Sequence, residues 1–276
     1  MSFLSPFQQV LARSEWRTYS QSYQDGVLAK LFELLGTSNR EFVEFGFNAN
    51  SYEPPQSGAN TRLLYKRGWR GLLMDGGHEN ATINLQRANL GPHTIGATLN
   101  RFRVRRDVDY ISIDFDSYDA WTMLSIVRAG YQPRVFTVEY NPAWVHGSTM
   151  LQKHPTKDGP VELCAGFGTS LIALEMLAKS VGYRLVYVVS GLDAFLVRGD
   201  LVNDTAITPI AQLPAERLTD GHYHMGSYKR FARPQSLGSN PAPHLGYWGF
   251  QSMGCTSETQ DAVAYLHTRR SHMSTR

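Results

Sequence analysis

Short apolar runs alternate along the chain with stretches whose apolar residues recur every three or four positions. The runs predict strands buried on both faces, and the stretches predict helices with one buried side. The clearest strands each end on an acid: FVEFG at Glu44, GLLMD at Asp75, YISID at Asp114 and FTVEY at Glu139. Ligands of parallel sheets bind outside the carboxyl ends of the strands, so this row of acids predicts a site as well as a fold.

The pattern predicts strands and helices in alternation. The predicted helices cover 20–36, 60–68, 79–91, 117–130 and 169–183, the last with Thr169 as its N-cap. The predicted strands cover 41–45, 71–75, 93–100, 108–114, 134–140, 183–189 and 194–198. A loop-rich insertion is expected over 141–168. This alternation is typical of an α/β fold with a doubly wound sheet.

The last two predicted strands are joined by a turn too short for a crossover helix. Parallel neighbours need a dozen or more connecting residues, so this pair must be antiparallel. We treat 1–276 as a single domain with a core over about 19–202. Residues 203–276 form a C-terminal extension, a lid or an interface, and end in a polar tail.

Composition narrows the class of partner. The 276 residues carry a net charge of +3, and their basic residues are spread out, which argues against nucleic acid. Two cysteines, Cys164 and Cys255, make neither a disulfide framework nor a zinc pattern. No apolar run approaches a membrane span, and the start lacks the basic and apolar regions of a signal peptide. We therefore expect a cytoplasmic protein that binds neither nucleic acid nor a membrane, with homo-oligomer formation left open.

Four segments, in order, resemble the FkbM-type methyltransferases. They are SQSYQDGVLAKLF, FVEFGFNANS, DYISIDFDSYDAW and GTSLIALEMLAKSVGYRLVYVVSGLDAFLVRGDL, and the resemblance covers roughly Tyr19 to Val202. It implies the class I methyltransferase fold, a Rossmann-like seven-stranded, mostly parallel sheet whose last strand is antiparallel. It also implies that S-adenosyl-L-methionine is the cofactor.

The same resemblance implies a set of cofactor-binding residues. Glu44 and Asn48 are expected near the methionine moiety, and Gly46 lets the backbone approach the cofactor closely. Asn48 and Asn50 replace later glycines of the common Gly-x-Gly-x-Gly pattern, although Asn tolerates unusual backbone angles. Asp75 is expected to accept hydrogen bonds from the ribose hydroxyls, unless it only caps a helix. The set is completed by Gly76, in the turn after Asp75, and Asn100, near the adenine.

The reaction end is predicted after the fourth and fifth strands. Two interpretations remain open there. Asp114, Glu139 and Asn141 offer hard oxygen ligands for Mg²⁺, which would hold the acceptor hydroxyl. Alternatively, an acid of the catalytic set is the general base without a metal. That set consists of Asp114, Asp116, Glu139 and His146.

The predicted activity is O-methylation of a hydroxyl on a sugar or secondary metabolite. A non-catalytic binding or assembly module of the same fold is the alternative. His222 and His224 lie two positions apart, so on a strand they would share one side as a metal pair or a base, although an ordinary loop pair is commoner. The acceptor and its reacting atom stay open.

Overall fold

The computed structural model describes residues 4–53, 59–115, 118–141, 147–158, 168–189, 191–212 and 259–273. Helices in these ranges are α1 (Pro6–Ala12), α2 (Gln24–Leu35), α3 (Arg62–Lys66), α4 (Ile95–Arg101), α5 (Asp119–Arg128), α6 (Leu171–Ser180) and α7 (Ala262–Met273). Strands are β1 (Glu41–Phe45), β2 (Arg70–Asp75), β3 (Leu85–Arg87), β4 (Tyr110–Ile113), β5 (Val135–Glu139), β6 (Met150–Gln152), β7 (Tyr183–Val189), β8 (Asp193–Arg198) and β9 (Thr259–Asp261). No helix in the described ranges is long and apolar enough to cross a membrane.

Seven strands form one sheet in the order β3-β2-β1-β4-β5-β8-β7. Strands β1 to β5 pair in parallel, whereas β8 runs antiparallel to both β5 and β7. The predicted α/β fold with a mostly parallel sheet and an antiparallel last strand is therefore confirmed. Strands β6 and β9 form a separate two-stranded sheet.

Helices cover both faces of the large sheet. Alternate residues of a strand point to opposite faces, so Val43 and Phe45 belong to one core and Phe42 to the other. The first core takes buried residues from α4, α5 and α6, among them Leu99, Trp121 and Leu177. The second takes them from α1, α2 and α3, among them Leu11, Leu28 and Leu64.

The predicted helix over 79–91 is wrong. A 3-10 turn at Ala81–Ile83 leads into β3 instead. Asn80 caps that turn by accepting a hydrogen bond from the Thr82 amide, and Asn84 has a left-handed φ of 54°, which a helix cannot continue through. Leu85 then pairs with Leu73 and is buried against the sheet.

The predicted strand over 93–100 is also wrong, because this segment contains the helix α4. Ile95 and Leu99, four residues apart, are its buried residues. Asp158 accepts hydrogen bonds from the His93 and Thr94 amides at 3.0 and 2.8 Å, at the start of the helix. Asn100 is thus an exposed helical residue, and the strand that suggested its place near an adenine does not exist.

The predicted N-cap of the next helix is displaced by one residue. Ser170, not Thr169, has the extended backbone of an N-cap, and its hydroxyl accepts a hydrogen bond from the Ala173 amide in the first turn of α6.

The described part of the C-terminal extension packs on the core. Strand β9 pairs antiparallel with β6. Tyr265 of α7 lies with its ring centroid 4.8 Å from that of Trp121, and its hydroxyl accepts a hydrogen bond from Arg128 at 2.8 Å. The chain was expected to end in a polar tail, but the helix α7 continues as far as Met273.

Strand β7 is an edge of the large sheet and carries a bulge. Leu185 pairs with Leu196 and Tyr187 with Phe195, so Val186 has no opposite residue on β8. Nearby, Arg184 forms an ion pair with Asp204. The bulge breaks the regular ladder at this edge.

Candidate functional site

The acids that end the predicted strands lie along one edge of the sheet. Phe45 pairs with both Met74 and Ile113, so the residues that follow them, Asp75 and Asp114, flank Gly46. Ile113 pairs with Val138, which brings Asp114 to the level of Glu139, and Glu139 pairs with Asp193 of β8. Neighbouring strands are about 4.8 Å apart, so these side chains belong to one continuous rim.

Gly46 lies where the strand order reverses, between β1 and β4. The chain turns one way from β1 to β2 and later crosses to the other side to form β4, which leaves a crevice between the two strand ends. Gly46 has a φ of +74°, and a Cβ built on it would lie 1.7 Å from the main-chain oxygen of Asp114. Only glycine fits this contact.

Asp75 connects the loops that follow β1 and β2. Its Oδ2 accepts a hydrogen bond from the Asn48 amide at 2.8 Å. Its Oδ1 accepts from the amides of Gly77 and His78 at 2.7 and 3.0 Å and contacts the His78 ring at 2.8 Å. Burial alone would raise the pKa of Asp75, but these hydrogen bonds together lower it. The carboxylate is therefore ionised at neutral pH.

Glu44 is buried and holds the segment before α3. Its Oε1 accepts from the Asn60 amide at 2.8 Å, and its Oε2 accepts from the Thr61 amide at 3.3 Å and from the Thr61 hydroxyl. Burial raises the pKa of Glu44 to about 7, against the opposing effect of these hydrogen bonds, and the nearby charge of Asp193 adds to the rise. Both oxygens of Glu44 are thus used within the chain.

A buried polar network runs beside Glu44, and its other members were not anticipated from the sequence. The Asn60 amide nitrogen, Nδ2, donates to Asp193 and to the Ser112 hydroxyl, both at 3.1 Å. Gln24, at the start of α2, donates to the same oxygen of Asp193 at 2.9 Å, and Thr137 donates to Ser112 at 2.9 Å.

Two properties of this network bear on ligand binding. Burial raises the pKa of Asp193, and hydrogen bonds from Gln24 and Asn60 oppose that rise. The Asn60 carbonyl oxygen, Oδ1, is buried and has no hydrogen-bond partner among the described residues. It is a buried acceptor on the residue whose amide binds Glu44, and such groups in folded proteins are usually hydrogen-bonded.

The predicted reaction-end residues are only partly described. Asp114 is half-buried, Glu139 is 8% exposed and Asn141 is 2% exposed. The Asn141 amide donates to the carbonyl of Thr169 at 3.0 Å. Asp116, His146, His222, His224 and both cysteines lie outside the described residues. In the part of the chain that is described, no group of three or more His, Cys, Asp or Glu side chains is arranged to hold a metal ion.

Comparison with known proteins assigns no family to the chain. No protein-family model matches it, and no curated protein matches it. A functional proposal therefore depends on the geometry of the described residues and on the motifs in the sequence.

The Gly46 contact can be tested with two alanine substitutions. Gly46→Ala should lower the free energy of unfolding by more than about 3 kcal/mol, because the new Cβ meets the Asp114 main chain. Gly68→Ala is the control: Gly68 has a φ of +81° with nothing within 4 Å, so it should lose only about 1–2 kcal/mol from backbone strain. Urea denaturation followed by circular dichroism measures both. Equal losses would contradict a steric limit at the β1–β4 contact.

Burial of Glu44 predicts a pH dependence of stability. The unfolded chain releases the Glu44 proton near the ordinary pKa of 4.5, whereas the folded protein keeps it until about 7. The contribution of the Glu44 pKa shift to the free energy of unfolding is therefore complete below pH 4.5, and it is lost as the pH rises to about 7. The difference between the pKa of Glu44 in the folded and in the unfolded chain corresponds to about 3 kcal/mol of stability.

Glu44→Gln should flatten that part of the stability profile, since glutamine does not titrate. The free energy of unfolding, measured by urea denaturation at pH 4.5 and at pH 7, reports the change. Glu33→Gln is the matched control, because Glu33 is a 65% exposed acid on α2 paired with Lys30. If the free energy of unfolding of Glu44→Gln falls between pH 4.5 and pH 7 as steeply as that of the Glu33→Gln control, the raised pKa of Glu44 is refuted.

Proposed function

We propose that this protein is an S-adenosyl-L-methionine-dependent methyltransferase that methylates a hydroxyl of a small molecule, such as a sugar or secondary metabolite. The observation that carries the proposal is the contact of Gly46 with Asp114 at the reversal of strand order, with acids on both sides. The seven-stranded sheet and its antiparallel last strand support the finer assignment to the class I methyltransferase fold. A cytoplasmic location stays a prediction, supported by the low cysteine content.

The residues at the strand ends fit the cofactor. Within the described residues, the Asp75 Oδ2 accepts only the bond from Asn48, so it keeps a lone pair for a ribose hydroxyl. Gly46 and Asn48, both with positive φ, bring the main chain close to a ligand in the crevice. Gly76 belongs to the turn beside Asp75. Asn100 lies on the helix α4 rather than after a strand, so the reason for placing it near the adenine no longer applies.

The Glu44 network fits the methionine end of the cofactor. The unsatisfied Asn60 Oδ1 is an acceptor for an ammonium group, and the negative charge of Glu44 lies on the same network. This arrangement lets Glu44 act through Asn60 and Thr61 rather than by direct contact.

When bound, S-adenosyl-L-methionine supplies a methyl group on a positively charged sulfur. The remaining chemistry is to position the acceptor oxygen and to take up its proton. In the base assignment, one of the two acids on neighbouring strand ends, Asp114 or Glu139, takes up this proton. In the metal assignment, Asp114, Glu139 and Asn141 would hold Mg²⁺, which would lower the pKa of the acceptor hydroxyl.

One observation favours the non-catalytic module as a second candidate. Both oxygens of Glu44 are engaged by Asn60 and Thr61, as they would be if Glu44 had only a structural role. Such a module predicts that no methyl transfer occurs under any condition.

Cofactor binding tests the proposal first. S-adenosyl-L-methionine at 100 times its dissociation constant should stabilise the protein by about 2.7 kcal/mol in thermal denaturation. Asp75→Asn should weaken binding at least about tenfold in calorimetry, because the carboxylate acceptor is lost. Asp107→Asn, an exposed acid paired with Arg105, should bind like the unchanged protein. Equal affinities in the two variants would contradict the ribose assignment.

Turnover tests the reaction end. Asp114→Ala should keep the fold and the affinity for S-adenosyl-L-methionine, but lower the rate by about 100-fold or more, since the proton acceptor is removed. The measurement is the S-adenosylhomocysteine formed from S-adenosyl-L-methionine in the presence of a panel of sugar and phenolic acceptors, with and without EDTA. Full activity of Asp114→Ala would reject this role. Loss of activity with EDTA, restored by Mg²⁺, would select the metal assignment over the base.

A further inference from the structure

A cavity lies at the opposite edge of the large sheet, where β1 and β2 begin. Its volume is about 680 Å³, within the range of about 300–1,000 Å³ typical of small-molecule sites. It lies between the segment that follows α1, the helices α2 and α3, and the residues that precede the two strands. We call it the amino-edge groove. It shares no lining residue with the rim of acids at the carboxyl edge.

The amino-edge groove carries uncompensated positive charge. Arg13, Lys30, Arg40 and Arg67 line it, together with a single carboxylate, that of Glu33. Glu33 pairs with Lys30 at 2.7 Å. The three arginines form no ion pair with any described residue. They come from three separate segments, and their charges repel one another unless an anion is present.

The walls of the groove are held in place by buried acids. The Asp25 Oδ2 accepts hydrogen bonds from the amides of residues 18, 19 and 20 at 2.8, 2.6 and 3.0 Å. Gly26 donates to the Trp16 carbonyl at 3.1 Å, and a Cβ on Gly26 would lie 1.9 Å from the Ser14 oxygen. The segment that carries Arg13 and Trp16 is therefore packed directly on α2.

Arg40 is held from the other side. Its amide donates to the buried Asp109 at 2.7 Å, and its backbone has a left-handed φ of 54°, which is costly for a residue with a side chain. The arginine thus keeps its place beside the groove through contacts of its main chain. The main chain at Arg40 is therefore fixed beside the groove, and a ligand would have to order only the side chains that contact it.

Aromatic rings complete the groove. Phe32 and Trp69 pack with their centroids 4.7 Å apart and are buried, whereas Trp16 is 37% exposed. The groove is therefore lined by arginine side chains and by an exposed aromatic ring.

We propose that the amino-edge groove binds a phosphate monoester that carries a planar ring, the chemical class of a nucleoside monophosphate. A phosphate monoester has about two negative charges and three terminal oxygens. A ligand of this kind matches three guanidinium groups better than a ligand with a single carboxylate would. The ring stacks on Trp16, and the phosphate lies among Arg13, Arg40 and Arg67. This site is independent of the proposed methyltransferase site.

Titration of the full chain with AMP, adenosine and inorganic phosphate tests this site, by calorimetry and by tryptophan fluorescence. AMP should bind more tightly than either part and should quench the fluorescence. Trp16→Leu should weaken binding of AMP but not of inorganic phosphate. If AMP binds no more tightly than inorganic phosphate, the ring does not contact the groove and the proposal of a ring-bearing ligand is wrong. Binding of acidic peptides but not of AMP would overturn the proposal.

Arg40→Gln should lower the affinity for AMP at least about tenfold, because one guanidinium contact is lost. Arg103→Gln is the matched control: Arg103 is exposed, has the same φ of 54° and does not line the groove. Equal affinities of the two variants would overturn the proposal.

The cofactor of the proposed methyltransferase also contains adenosine, so the two sites must be separated. Saturating S-adenosylhomocysteine and the Asp75→Asn variant should both leave binding of AMP unchanged. Displacement of AMP by S-adenosylhomocysteine would place it at the carboxyl edge and reject the groove. If the unchanged protein binds AMP but does not bind S-adenosyl-L-methionine, only the methyltransferase proposal is rejected.

Discussion

The rest of the structure depends on one main-chain contact at the centre of the sheet. Strand β1 pairs with β2 on one side and β4 on the other, and Gly46 then passes against the oxygen of Asp114 with no room for a side chain. The contact sets how closely the ends of β1 and β4 approach each other. Through the register, it also sets the position of Asp75, Glu139 and every other group on that rim.

The buried polar network gives the same region its rigidity. Glu44 and Asp193 have raised pKa values because of burial, so they contribute little stability as charges. Their hydrogen bonds to Gln24, Asn60 and Thr61 instead fix the start of α2 and the segment before α3 against the sheet. The network thus links both helices to the crevice in which we expect the ligand.

The sequence predicted the central strands well because each is a short apolar run with an acid or glycine at its end. The prediction failed over 79–100 for two reasons. Asn84 has a left-handed conformation that ends the turn before β3. The start of α4 is capped by Asp158, which lies more than sixty residues further along the chain. Asp193 and Asn60 were missed because their partners are distant along the chain. A signal was available: Glu44, Ser112 and Thr137 are polar positions within otherwise apolar strands. The pairing of β1 with β4 and of β4 with β5 places all three on one face of the sheet.

The edges of the sheet limit how two copies of the chain can meet. An unpaired strand edge is a template on which another chain can add a strand, and this is a common route to aggregation. Here β3 is three residues long, and β7 is interrupted by Val186, with the charged side chain of Arg184 close by. Extension of the large sheet from one molecule into another is therefore disfavoured at both of its edges.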